Sequence, residues 1–177
     1  GMQLGLLALL WYNAIYTPLK KKSAFAVVPG SVIGALPPMV GWVAAGGDIA
    51  DPRMFVLAFF FFIWQIPHFW LLLLKYGKQY EKAGFPSITS VYTDTQIKRI
   101  TFLWTSATAI SVLFIPFFGI APSIFSKIAL TVLAIALIVL FSTLLRSSKD
   151  FRFTKYFLYI NFFLLLVIIS LYIEAVV

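Results

Sequence analysis

One histidine, His68, stands in the string Trp64-Gln65-Ile66-Pro67-His68-Phe69-Trp70, within a run of apolar residues. Gln65, His68, Leu72 and Lys75 fall at i, i+3, i+7 and i+10, which is one face of a helix. An imidazole at such depth can contact a ligand or relay a proton, and an ionisable group inside a membrane reads first as functional. The alternative is a neutral ring hydrogen-bonded to a neighbouring helix. A lone histidine in a chain without cysteine cannot build a zinc site, which takes three or four ligands, and haem attachment through Cys-x-x-Cys-His is excluded. Further on, Lys75, Lys78 and Lys82 are joined by Glu81. Lysines at spacings of three and four present one helical face to a phosphate as point charges, and Lys20, Lys21 and Lys22 offer the same; the alternative is charge that only flanks a membrane span. Thr93-Asp94-Thr95-Gln96 has the form of a capping box, with Asp94 in the first turn. Glu81 is then the acid of this segment left for a magnesium ion, and one carboxylate is thin for that role.

The elements that must position these groups follow from composition. Of 177 residues 62% are hydrophobic and 11% charged, against about 25% charged in a soluble domain, so a water-soluble fold is excluded. Runs such as 128–145 are apolar on every face, which excludes a membrane β-barrel, whose strands alternate. The fold class is all-α, a single polytopic transmembrane bundle. Spans are expected at about 23–47, 52–74, 101–118, 124–145 and 156–177, with a cytoplasmic loop over 75–100. A further run at 2–16 covers roughly 22 Å as helix, short of the hydrocarbon thickness. With no basic leader or cleavage site it reads as a truncated span rather than a signal peptide, and Gly1-Met2 reads as a scar of tag removal.

Of the fourteen Lys and Arg, all but Arg53 and Lys127 fall on alternate connections, from Lys20 to Lys22, through Lys75, Lys78, Lys82, Lys98 and Arg99, to Arg146, Lys149, Arg152 and Lys155. The positive-inside rule puts these in the cytoplasm and both chain ends outside. The net charge of +8 is thus first a topology signal, and no nucleic-acid partner is expected. On the outer side Asp51 reads as an N-cap followed by Pro52 at the first helical position. The span at 23–47 carries Pro29, Gly30, Gly34, Pro37, Pro38 and Gly41. Gly30 and Gly34 form a G-x-x-x-G pair that admits a neighbouring backbone, and the proline pair bends the helix. Such a helix serves either tight packing or a cavity for a bulky apolar substrate.

Four strings, in this order, resemble the haem O synthases (protohaem IX farnesyltransferases) of the UbiA-type membrane prenyltransferase superfamily. They are Tyr16-Thr17-x-Leu19-Lys20-Lys21-x-Ser23, Gly30-x3-Gly34-Ala35-x-Pro37-Pro38-x2-Gly41-Trp42, Trp64-x2-Pro67-His68-Phe69-Trp70 and Tyr80-x2-Ala83-Gly84-x-Pro86. The match covers nearly the whole chain. It implies a nine-helix bundle of which the last six are present, in a bacterial inner membrane, with a cytoplasm-facing site that transfers farnesyl from its diphosphate to a vinyl group of haem b. The implied partners are haem b, farnesyl diphosphate and the lipid bilayer, with haem A synthase or an oligomeric copy as further alternatives. The implied cofactor is Mg2+, held partly by an Asn/Asp-rich motif that this chain does not contain. Ala26 stands where the family usually has Asn and Gln79 where it usually has Asp, which weakens the second magnesium-diphosphate site. The chain by itself is therefore expected not to turn over.

Under that resemblance His68 and Tyr80 are the catalytic candidates. Lys20, Lys21, Lys75 and Lys78 would face diphosphate or haem propionates; Trp42, Trp64, Phe69 and Trp70 would wall the pocket and stabilise cationic charge, with Gln65 a further substrate-binding candidate. Glu81 is the weak metal candidate. Three other readings stay open: a non-catalytic membrane scaffold or partner subunit derived from a prenyltransferase, another UbiA-type aromatic prenyltransferase, and half of a transporter whose broken helix is the proline-rich span.

Overall fold

The computed structural model describes residues 1–146 and 152–176; Lys149 and Val177, on which the topology reading also drew, lie outside the described residues. The described chain is helical throughout: α1 (Met2–Leu10), a π-helical stretch (Trp11–Tyr16), α2 (Thr17–Leu19), α3 (Val27–Gly30), α4 (Val32–Ala44), α5 (Pro52–Lys82), α6 (Ile88–Val91), α7 (Asp94–Ser111), α8 (Phe114–Phe117), α9 (Ile124–Arg146) and α10 (Phe153–Val176). Among the described residues five helical segments are long and apolar enough to cross a membrane, which makes this an integral membrane protein.

Three segments differ from the expectation. The first helix continues past residue 16 to Leu19, through the π-helical stretch in which the Thr17 amide donates to the Tyr12 carbonyl. Pro18 lacks the amide that would bond to Ala14, and its ring crowds that carbonyl; widening the preceding turn accommodates both without ending the helix. α5 runs eight residues beyond the apolar span, so 75–82 is helix and the connection shrinks to 83–93. Its polar end is made of good helix formers, and it stops where Gly84 takes φ +81. There the Phe85 amide bonds to the Tyr80 carbonyl and the Gly84 amide to Glu81, closing a Schellman turn. α7 likewise starts at Asp94 rather than 101, because the Thr93–Gln96 capping box sits at its N-terminus.

α5, α7, α9 and α10 close into a ring in which each helix packs on two others, while α4 lies on the outer side of α5 and α1 on α4. The ring is filled by Phe60 and Leu71, Leu137 and Phe141, Ile160 and Phe163, with Ala109 and Ala134 letting α7 and α9 approach. A second core of Ile66, Trp70, Leu73 and Ile97 takes in Ile88 of α6 and so seats the connection against α5. At the end away from most lysines, Asp51 caps α5 and pairs with Arg53 at 2.6 Å. That guanidinium holds the Asp51 carboxyl below the usual carboxylate range. At the same end Ser123 and Ser126 of the α9 start donate to Glu174 of α10.

The proline-rich segment is interrupted at Ser31, six residues before Pro37, and both Pro37 and Pro38 sit inside α4. Its glycines admit side chains, not the backbone anticipated from the G-x-x-x-G spacing. A Cβ on Gly30 would lie 2.6 Å from the Tyr16 ring, and one on Gly34 would lie 1.6 Å from Gln65 Oε1.

Candidate functional site

At the end where Lys20, Lys82 and Arg146 gather, a cavity of about 510 Å³ opens between the end of the first helix, the 23–27 turn, α5 and the 83–86 turn. That size lies within the range of small-molecule sites. Its inner wall is apolar, built by Ala24, Ala26, Val27, Phe69, Leu72 and Leu73, and its mouth is polar, with Tyr16, Lys20, Gln79 and Tyr80. Lys20 is the one charged residue on this wall among the described residues. The helical backbone that Pro18 deforms but does not break carries Lys20 to the mouth, where its ammonium stands 5.6 Å from the Tyr16 ring centre and 6.0 Å from that of Phe85. On α5 the wall is one stripe, Phe69, Leu72 and Leu73, Tyr76, Gln79 and Tyr80, Ala83, at helical spacing.

The structure brings together part of the expected set. Tyr80 and Lys20 meet at the cavity; Lys21 and Lys78 are exposed and off its wall. Trp64, His68 and Lys75 belong to the adjacent face of α5, which packs on α10. Trp64 Nε1 donates to the Ile160 carbonyl at 3.0 Å. The half-buried His68 ring lies between Trp64 and Phe157, with centroids at 4.9 and 4.8 Å, and its buried Nδ1 has no hydrogen-bond partner among the described residues. Lys75 Nζ rests 4.7 Å from the Phe153 ring centre. Gln65 turns toward Gly34, and its buried Oε1 has no hydrogen-bond partner among the described residues.

Two tryptophans stand elsewhere. Trp70 is buried in the α5–α7 core, edge-on to Trp104 at 5.8 Å. Trp42 is at the opposite end of the molecule, where it covers Arg53 at 5.4 Å and donates to the Asp48 carbonyl; α4 runs away from the basic end, so its last turn cannot reach the cavity. Glu81 accepts from Thr89 Oγ1 at 2.6 Å and thereby ties α5 to α6. Among the described residues no three His, Cys, Asp or Glu converge in a way that could hold a metal ion. Among the described residues the donor set therefore does not fit a magnesium site: Glu81, the acid they place near the cavity mouth, is occupied in a structural hydrogen bond.

Phe69, expected as pocket wall, lines the cavity, whereas sequence reasoning missed Leu72, Leu73 and Tyr76 there. Their repeat at i+3 and i+4 from Phe69 to Tyr80 was readable as a stripe, one helical step around from the one chosen for His68 and Lys75.

The model of the UbiA prenyltransferase family matches residues 2–169. The chain belongs to the UbiA prenyltransferase family. This UbiA chain is 45% identical over 117 residues to a protoheme IX farnesyltransferase of Geobacter sulfurreducens, covering 66% of the chain and 43% of that protein. It is 38% identical over 138 residues to one of Nitratidesulfovibrio vulgaris (78% and 47% covered) and 35% identical over 162 residues to one of Aquifex aeolicus (88% and 55%). It thus spans about half the length of the curated relatives it matches. No solved structure matches it. Within the UbiA family frame, the two positions read as departures, Ala26 and Gln79, both lie on the wall of this cavity.

Proposed function

We propose that residues 1–177 contribute to an enzyme that transfers a farnesyl group from farnesyl diphosphate to a vinyl group of haem b, giving haem O. The observation that carries this is the shape of the cavity at the basic end: an apolar pocket with a single cation at its polar mouth. Such a site suits a prenyl diphosphate, with the chain inward and the diphosphate at Lys20. Curated relatives named protoheme IX farnesyltransferase support the acceptor.

In the proposed reaction the C–O bond of the allylic diphosphate breaks and its electron pair leaves with the diphosphate. Lys20 neutralises part of that charge, which is worth most where water is excluded. Phe69, Leu72 and Leu73 keep water from the allylic cation, and the Tyr16 and Tyr80 rings at the mouth stabilise positive charge through their faces. The π electrons of the vinyl group then close the new C–C bond, which leaves the positive charge on the former vinyl carbon next to the macrocycle; a water molecule adds its oxygen there and releases a proton to solvent, giving the hydroxyl of haem O. His68 is proposed as a contact to the tetrapyrrole rather than to the diphosphate. It faces α10, away from Lys20, and its buried Nδ1 has no partner among the described residues.

The direct test is haem O formation by the full-length gene in a host lacking its own synthase; absence of product from well-expressed protein would sink the proposal. His68→Phe is expected to keep the stacked ring and the thermal stability while lowering product formation at least about tenfold, roughly 1.4 kcal/mol in the barrier. Unchanged activity would remove His68 from the site.

A second reading, a non-catalytic scaffold derived from a prenyltransferase, is favoured by the neutral Gln79 and Ala26 on the cavity wall. Gln79→Asp separates the two. In an enzyme the restored carboxylate should tighten use of farnesyl diphosphate with magnesium severalfold, whereas a scaffold makes no product with either residue.

The cavity is proposed to face the cytoplasm of a bacterium, on the charge pattern. The chain has no cysteine of its own, and Val91 and Ile49 are exposed at opposite ends. Val91→Cys should therefore react with an impermeant thiol reagent only after spheroplasts are opened, and Ile49→Cys before. The same accessibility at both positions would refute the topology.

A further inference from the structure

A second opening, about 570 Å³, lies between the last third of α5 and the start of α10 and is lined by Leu74, Lys75, Arg152, Phe153, Thr154 and Lys155. It lies apart from the first: no residue lines both. Among the described residues, three of the six that line it are cations and none is an acid. Lys75 is held over the Phe153 ring at 4.7 Å and the Tyr76 ring at 4.9 Å, so one charge is fixed at the groove by its neighbours. Like charges gathered in this way repel unless an anion joins them.

We propose that this groove binds the headgroup of an anionic phospholipid, with Lys75, Arg152 and Lys155 around the phosphate and the Thr154 hydroxyl as a further donor. A free phosphate would satisfy the same cations, but the surroundings favour a lipid. From Thr154, the helical face of α10 continues through Leu158, Phe162, Leu165 and Ile169, at steps of four, four, three and four residues. These four are exposed apolar side chains on a membrane-spanning helix. Headgroup groove and acyl-chain track are thus one continuous surface, and basic pockets between helix ends at the cytoplasmic leaflet are suited to anionic headgroups. The inference goes beyond the proposed reaction and does not depend on it.

The test uses the full-length protein, delipidated in a non-ionic detergent and titrated in native mass spectrometry with phosphatidylglycerol and with phosphatidylcholine of the same acyl chains. Wild type is expected to retain phosphatidylglycerol on the order of tenfold better, and a Lys75→Gln/Arg152→Gln/Lys155→Gln variant to lose that preference to within about twofold. Lys127→Gln, which removes a cation from the opposite end, should leave the preference intact. Equal retention of both lipids by wild type, or an undiminished preference in the triple variant, overturns the proposal. Glycerol phosphate in millimolar excess should not displace the lipid; displacement would make the groove a soluble-phosphate site and overturn the lipid assignment. Should the triple variant not fold, Arg152→Gln alone carries the test, with a loss of about threefold or more expected and full retention counting against the site.

Discussion

On the proposed reaction, replacing Lys20 by Gln in the full-length protein is expected to lower kcat/KM for farnesyl transfer by about a hundredfold. Lys20 is the one charge on the cavity wall among the described residues, so no neighbouring cation on that wall can take over its task. A hydrogen bond to a charged group is worth about 1.5–3 kcal/mol, which corresponds to roughly tenfold to somewhat over a hundredfold in rate when the interaction is made in the transition state. The upper part of that range is appropriate because the wall behind Lys20 is apolar and the diphosphate gains charge as it leaves. Stability should hardly move: the ammonium touches only the faces of Tyr16 and Phe85, contacts that are weak when part-exposed. Lys20→Arg keeps the charge and should recover most of the rate. A Lys20→Gln enzyme within about threefold of wild type would show that the diphosphate is bound elsewhere.

Gly77→Ala should have the largest structural effect for one added methyl group. Gly77 is buried in α5 under α6, and a Cβ there would lie 2.4 Å from Thr89 Oγ1 and 2.8 Å from its methyl carbon. Thr89 cannot swing aside cheaply, because its hydroxyl is bonded to Glu81 at 2.6 Å and to Ser87 at 2.8 Å. The clash must instead lift α6, at a cost of about 1–3 kcal/mol. The turn leading into α6 carries Phe85 and Pro86, two residues of the cavity wall. Product formation is expected to fall on the order of tenfold, and trypsin should cleave after Lys82 faster than in wild type. Thr89→Ala removes both clashing atoms, so the double variant should be less impaired than the sum of its parts, a coupling of about 0.5–3 kcal/mol. Wild-type protease resistance in Gly77→Ala would mean that α6 is not seated as described.

What could be read without coordinates divides along physical lines. The presence of five long apolar helices and the two capped starts at Asp51 and Thr93 were legible, because apolar length and capping are local properties of the chain. The extension of α5 over 75–82 was hidden by its polarity. A helix that leaves the bilayer has no apolar periodicity to show, although Gly84 at its C-terminus was a usable stop signal. The cavity was harder. In a membrane protein Leu72 on a cavity, Leu71 in the core and Leu103 toward lipid are all simply apolar, whereas His68 and Lys75 stand out by their chemistry but face α10. Trp42 shows the opposite failure. The charge pattern alone already put the end of its helix on the far side of the membrane, and the motif resemblance outweighed that simpler geometric signal.

The ring of α5, α7, α9 and α10 has a consequence for how the chain is made. Its closing contact joins the middle of the sequence to its last helix: the Trp64 indole donates to a carbonyl 96 residues further on. At ordinary synthesis rates of about 5–20 residues per second, the ribosome needs roughly 5–20 s to add those residues. During that interval the Trp64 and His68 face of α5 must wait in the bilayer or against the insertion machinery, with an indole donor and an imidazole uncovered by α10. A nascent chain arrested before α10 would present this same face, and a membrane chaperone or protease that senses unpaired polar groups in lipid would find it first on α5.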